Sequence, residues 1–188
     1  MAAVIVLAGL AGAAVLLRPG GGASGGGGVQ IGGPFALLNG AGKTVTDRDF
    51  HGRFMLVYFG YTHCPDVCPT TLSDMATAVE KLPTASRARV VPVFITVDPA
   101  RDTPAIIGDY AQAFGSEMVG LTGSDAAVAA VEAEYHVYVG VKDPRTGAIA
   151  HSVLLYLMDP SGHFVAALPD ESSAQELVSR LTALMSVH

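Results

Sequence analysis

Cys64 and Cys68 are the only thiols in the chain. They lie in the run Gly60-Tyr61-Thr62-His63-Cys64-Pro65-Asp66-Val67-Cys68-Pro69-Thr70, with three residues between them. The run follows the apolar stretch 54–59, and a proline stands at the expected start of a helix. A cysteine at a helix N-terminus feels the positive end of the helix dipole and free backbone N–H groups, so its thiolate is favoured. Two such thiols can exchange electrons with a disulfide or hold a soft metal ion. A simple stapling disulfide is the weaker reading, because closing so short a loop removes little unfolded-chain entropy.

The elements that must position these residues follow from the pattern around them. Residues 35–38 and 43–46 flank Asn39-Gly40, a turn signal, and predict a short hairpin. Residues 54–59 predict a buried central strand. Pro69 suits the first helical position, and residues 70–81 carry Leu72, Met75, Ala76 and Val79 at helical spacing. A second buried strand spans 90–97. It leads into Asp98-Pro99-Ala100-Arg101-Asp102-Thr103-Pro104, where Thr103 caps a helix running to about residue 114.

Beyond it, 118–121 predicts a short strand, and 124–134 a helix capped by Ser124 or Asp125. Residues 135–141 predict an edge strand, and 142–147 a polar turn. Residues 152–158 and 164–168, joined by Asp159-Pro160-Ser161-Gly162, form a second hairpin. An amphipathic helix over 171–185 closes the domain, with Leu177, Val178, Leu181 and Leu184 facing the core.

This order predicts a mixed α/β sheet flanked by helices. With two cysteines at its first strand-to-helix junction, it reads as a thioredoxin-like fold with an N-terminal hairpin extension. Redox thioredoxins have two residues between their cysteines, and a cis-proline facing them just before the strand of the final hairpin. Here the spacing is three, and Ala150-His151-Ser152 occupies the proline's place. Two soft thiolates and one imidazole suit Cu(I) or Cu(II) in a low-coordinate site. Zinc would take the same donors but usually wants four ligands, and no obvious fourth is present.

Bulk properties set the surroundings. The 188 residues carry a formal charge of −6 and no basic stripe, which excludes a nucleic-acid surface. Residues 2–17 are apolar and uncharged, and Arg18 closes them. As a helix this segment is about 24 Å long, short of the ~30 Å hydrocarbon core, and reads as a membrane anchor or signal segment. Residues 19–33 are mostly glycine and read as a flexible tether. The expected organisation is therefore an anchor or signal over 1–18, a linker over 19–33 and a folded domain over 34–188, held on the non-cytoplasmic side of a membrane.

Three motifs together resemble the SCO/SenC family of copper-binding, thioredoxin-like proteins. They are Tyr58 through Pro69, Val97 through Pro104, and His151-Ser152 ahead of Tyr156-Leu157-Met158-Asp159. The resemblance covers roughly residues 35–185. It implies Cys64, Cys68 and His151 as copper ligands. It implies supply of copper to the binuclear copper site of cytochrome c oxidase subunit II, or reduction of that site's cysteines. Other periplasmic copper chaperones or thiol reductants would be further partners. It also implies an inner-membrane anchor, with the domain in the periplasm or the intermembrane space. The family commonly has aspartate just before the histidine. This chain has Ala150 there, which removes a carboxylate that could orient the imidazole.

Two further functions use the same residues. A thiol–disulfide oxidoreductase would employ Cys64 and Cys68 as a redox pair, and a copper or redox sensor would signal without handing metal over. Among other candidates, His63 is read as a packing or surface residue, and Asp66 as a loop carboxylate. Asp98, at the end of a central strand, is read as supporting the site or recognising a partner. Arg101 and Asp102 are read as an ion pair or cap.

Overall fold

The computed structural model describes residues 30–188. The expected anchor over 1–18, and the tether as far as residue 29, lie outside the described residues. Among the described residues, no helix is long and apolar enough to cross a membrane.

The strands are β1 (Ala36–Asn39), β2 (Thr44–Thr46), β3 (Phe54–Gly60), β4 (Val90–Thr96), β5 (Val119–Thr122), β6 (Leu154–Met158) and β7 (Phe164–Pro169). The helices are α1 (Val67–Lys81), α2 (Thr84–Arg87), α3 (Pro104–Gln112), α4 (Asp125–Glu134) and α5 (Ala174–Met185). The strands form one sheet in the order β2-β1-β5-β4-β3-β6-β7. β3, β4 and β5 run parallel, and the other pairings are antiparallel. This is the thioredoxin-like mixed sheet that the sequence predicts, with the 36–46 hairpin added at one edge.

The central strand shows why the sheet needs helices on both faces. Phe54, Leu56 and Tyr58 enter one core with Leu72, Met75, Ile107, Leu177 and Leu181. Met55, Val57 and Phe59 enter the other with Leu121, Val128, Val131 and Tyr135. Side chains alternate along a strand, so a run without polar residues must be covered twice. Each fully buried large side chain contributes roughly 1.5–3 kcal/mol. The register Tyr58↔Leu155 places the start of β6 beside the end of β3. His151, three residues before β6, thereby arrives at the cysteine end of the sheet.

Two local expectations are corrected. α1 begins at Val67, so Pro69 is its third residue rather than its first. The first turn of a helix has no intrahelical acceptors for its N–H groups, so a proline anywhere in that turn loses nothing. Cys68 is consequently inside the helix.

Residues 135–141 are not a strand. Their only ladder contact is a single bridge, Val139↔His151. α4 ends in a Schellman turn, in which Val137 N donates to Glu132 O at 2.8 Å and His136 N to Ala133 O at 3.2 Å. His136 takes the left-handed position, with φ 53°, that glycine usually fills. The chain therefore leaves α4 as a loop that runs back toward the histidine.

Candidate metal and redox centre

β3 delivers Gly60 and the loop 61–66 to the N-terminus of α1. The N-cap residue Asp66 makes no side-chain cap. The sulfur of Cys64 acts in its place and accepts from Cys68 N at 3.4 Å. Burial opposes ionisation of Cys64. The N–H groups of Cys68, Asp66 and Val67 and the Cys68 thiol outweigh it, and hold the Cys64 thiol below its usual range. Cys68 is fully buried, and burial pushes its thiol up to about 12. Both cysteines are free thiols. The Cys64 thiol is thus the more easily ionised of the two, while its neighbour holds its proton.

Gly60 makes this approach feasible. A Cβ there would stand 2.8 Å from Cys68 Sγ, closer than such atoms tolerate. On another side, the Tyr58 hydroxyl donates to Cys68 Sγ across 3.9 Å.

His151 Nε2 lies 3.7 Å from Cys68 Sγ. Its Nδ1 lies 2.9 Å from the carbonyl oxygen of Ser152. A carbonyl can only accept, so Nδ1 carries a proton, and Nε2 is the nitrogen turned toward the thiols. The Ser152 carbonyl thereby orients the ring in a chain that has alanine at position 150. The edges of Tyr58 and Tyr61 confine the imidazole, with centroids 6.3 and 5.9 Å away. Among the described residues, no three His, Cys, Asp or Glu side chains already form a closed metal cage. Cys68 and His151 face each other, while the Cys64 sulfur is turned onto the backbone of α1.

The donor set nevertheless fits a soft ion. It offers two thiols that a soft cation would deprotonate and an imidazole nitrogen turned toward them. A cleft of about 740 Å³ lies elsewhere and is lined by residues that include Gln30, Asp47, His51 and His163.

The remaining sequence candidates resolve as follows. His63 is half exposed, with Nδ1 3.8 Å from Asp102 Oδ1 and 3.1 Å from Thr62 Oγ1. Asp66 is exposed. Arg101 does not pair with Asp102. It binds Asp98, which Lys142 also contacts at 3.2 Å. Asp102 is fully buried and accepts from Thr62 and Thr96. Sequence reasoning missed the roles of Tyr58, Tyr61 and Gly60 beside the sulfurs and the ring. Their only signal was membership of the motif, because alternation along β3 places Tyr58 on a face without saying what meets it.

The SCO1/SenC family profile matches residues 24–186. Protein sco1 of Schizosaccharomyces pombe is 40% identical over 153 residues, which cover 79% of this chain and 58% of that protein. Protein SenC of Rhodobacter capsulatus is 42% identical over 153 residues, covering 80% and 68%. The crystal structure of Arabidopsis thaliana ScoI with copper bound superposes with a TM-score of 0.79 at 37% identity, covering 84% of this chain and 99% of that one. The chain spans about half the length of the first curated relatives it matches. With the fold, the cysteine motif and the profile in agreement over most of its length, the chain belongs to the SCO1/SenC family.

Proposed function

We propose that the protein is a membrane-tethered copper chaperone. In this reading Cys64, Cys68 and His151 bind one copper ion as cargo and pass it to the binuclear copper site of cytochrome c oxidase subunit II. The observation that carries it is the placement of His151: its Nδ1 is bonded to the Ser152 carbonyl, and its Nε2 stands 3.7 Å from a buried sulfur. An imidazole nitrogen beside the two sulfurs supplies the third soft donor that a copper ion would use. Copper-bound Arabidopsis ScoI and copper-bound Bradyrhizobium japonicum ScoI, the latter 39% identical, support the choice of metal. Taking up the ion requires Cys68 to lose its proton and Cys64 to leave its backbone donor. Both steps are local to side chains.

Delivery needs a partner-facing surface. Among the described residues, the exposed large hydrophobics include Val67 between the cysteines, Tyr138 and Val141 on the loop leading to His151, and Val153 just after it. Apolar side chains gathered around a site mark a protein contact. Residues 1–18 would anchor the chain in the inner membrane and 19–33 would tether it. The domain over 34–188 would then face the periplasm, or the intermembrane space in a mitochondrion. Periplasmic copper chaperones or thiol reductants would load and reset it.

The unequal thiols favour a second activity at the same site. The Cys64 thiolate can attack a partner disulfide, and Cys68 can resolve the mixed disulfide, leaving the partner reduced and this pair oxidised. That disulfide would no longer bind copper, which couples delivery to redox state.

Anaerobic copper titration of the reduced protein and of His151→Ala tests the assignment, with visible spectroscopy for a Cu(II)–thiolate band. The wild type should take one equivalent. The variant should lose stoichiometric binding yet keep dithiol exchange. Unchanged stoichiometry and affinity in the variant would refute the three-ligand site.

A further inference from the structure

The segment between β4 and α3 carries two buried carboxylates, and each reaches a different loop of the site. Asp102 is fully buried. Its Oδ1 accepts from Thr62 Oγ1 at 2.6 Å. Its Oδ2 accepts from Thr62 N at 3.0 Å and Thr96 Oγ1 at 2.6 Å. Thr62 lies two residues before Cys64, so this carboxylate fixes the start of the cysteine loop to the end of β4. Asp98 is 5% exposed. It pairs with Arg101, and with Lys142 Nζ at 3.2 and 3.3 Å.

Lys142 belongs to the loop that leads to His151. Arg101 reaches the same loop, where its Nη2 donates to Gly147 O at 2.9 Å. The Arg101 guanidinium also lies 5.6 Å from the ring of Tyr61. Tyr61 accepts from Ile149 N at 3.3 Å through its hydroxyl, and presents its ring to His151. The two carboxylates are held rigidly to each other. Asp102 N donates to Asp98 O at 3.0 Å, and Asp98 N to Thr96 Oγ1 at 2.9 Å.

Burying a carboxylate is costly unless hydrogen bonds replace its water. Here Thr62 and Lys142, from the two segments that bring thiols and imidazole together, supply part of the replacement, and Thr96 and Arg101 the rest.

We propose that Asp98 to Asp102 forms a two-armed spacer that sets the distance between the thiols and the imidazole. Asp102 holds the cysteine loop through Thr62. Asp98, with Arg101 and Lys142, holds the loop that delivers His151. These are positioning residues and touch no cargo. The spacer's purpose rests on the copper reading above, but its mechanics do not.

Backbone amide exchange in the reduced, copper-free protein separates the two. Asp98→Asn should speed exchange at Gly140, Asp143 and Ile149 about tenfold or more, and leave Thr62 and Cys64 unchanged. Asp102→Asn should do the reverse. Lys142→Met alters a half-exposed side chain that does not threaten folding, and should loosen only the histidine arm. Thr62→Ala serves as the second variant of the cysteine arm should Asp102→Asn not fold.

Each arm's variants should also weaken copper binding by roughly 10- to 100-fold, as substitutions that disorient metal ligands do. Exchange that rises equally in both arms, or in neither, would overturn the spacer and leave ordinary stability as the role of these carboxylates. Copper affinity unchanged despite arm-specific exchange would overturn its purpose. A wild type that binds no copper but whose variants still divide into two arms would refute the copper reading and uphold the mechanics.

Discussion

Cys64, in the loop before α1, and Cys68, in the first turn of α1, are chemically unequal. The Cys64 sulfur faces the uncapped start of α1 and collects N–H donors, while Cys68 lies against Gly60 and Tyr58 with no water to stabilise its charge. Alkylation of the reduced protein by iodoacetamide should therefore label Cys64 alone at neutral pH. A lowered thiol pKa means that the thiolate plateau is reached at lower pH. The rate midpoint for Cys64 should thus fall below that of an unperturbed cysteine measured alongside. Cys68→Ala removes one donor to the Cys64 sulfur, so the midpoint should move up. Equal labelling of both cysteines at pH 7 would contradict the assignment.

The sequence made the pair visible, through its spacing and the helix that follows. It could not show which sulfur is buried. That depends on α1 starting at Val67, and the proline at position 69 disguised the start.

At the scale of elements, periodicity was a sound guide wherever a face is covered. β3, β4 and β6 are apolar because both sides are buried, and α5 is amphipathic because it packs on α1. The capping box Ser173/Glu176 starts α5 at Ala174, three residues later than the pattern predicts. Legibility failed over 135–141, where Tyr135 faces the core but Tyr138 and Val141 are exposed. The weak alternation there records one buried anchor followed by a loop, and the left-handed residue is histidine rather than the glycine that would have announced a helix end.

The packing of α5 yields a prediction at this scale. Leu181 is fully buried in the α1/α5 core. Leu181→Ala should cost about 2–5 kcal/mol, read as a lower urea midpoint at unchanged m-value. The Cys64 labelling midpoint should stay where it was, because the donors to its sulfur are the N–H groups of residues 66–68 and the Cys68 thiol. A shift in that midpoint would mean that α5 reaches the site electrostatically.

Over the whole molecule, the sheet gathers segments that are far apart in the chain. Parallel β3 and β4 end together, and antiparallel β6 begins beside them. The cysteine loop, the 98–102 segment and His151 therefore meet at one end. His151 was legible because it fills a known place before the last hairpin. The distant partners of Asp98 and Asp102, Lys142 and Thr62, were not, since hydrogen bonds spanning 40 or more residues leave no periodic trace.

The same end of the fold borders a cleft of about 280 Å³ between α4 and the histidine loop, lined by Glu132 with Val97, Val128 and Ile149. Burial pushes the Glu132 carboxyl up to about 7. An unfolded glutamate titrates near 4.3. Between these values the native state keeps a proton that the unfolded state has lost. Stability must therefore fall as pH rises through that window, and the full cost is present above about 7. The side chain is half-buried, so solvent screening reduces this cost to about 1 kcal/mol. Glu132→Gln should raise stability by that amount at pH 8 and leave it unchanged at pH 4, in urea unfolding of both proteins. An equal gain at both pH values would mean that the glutamine packs better, and that the carboxylate of Glu132 carries no cost.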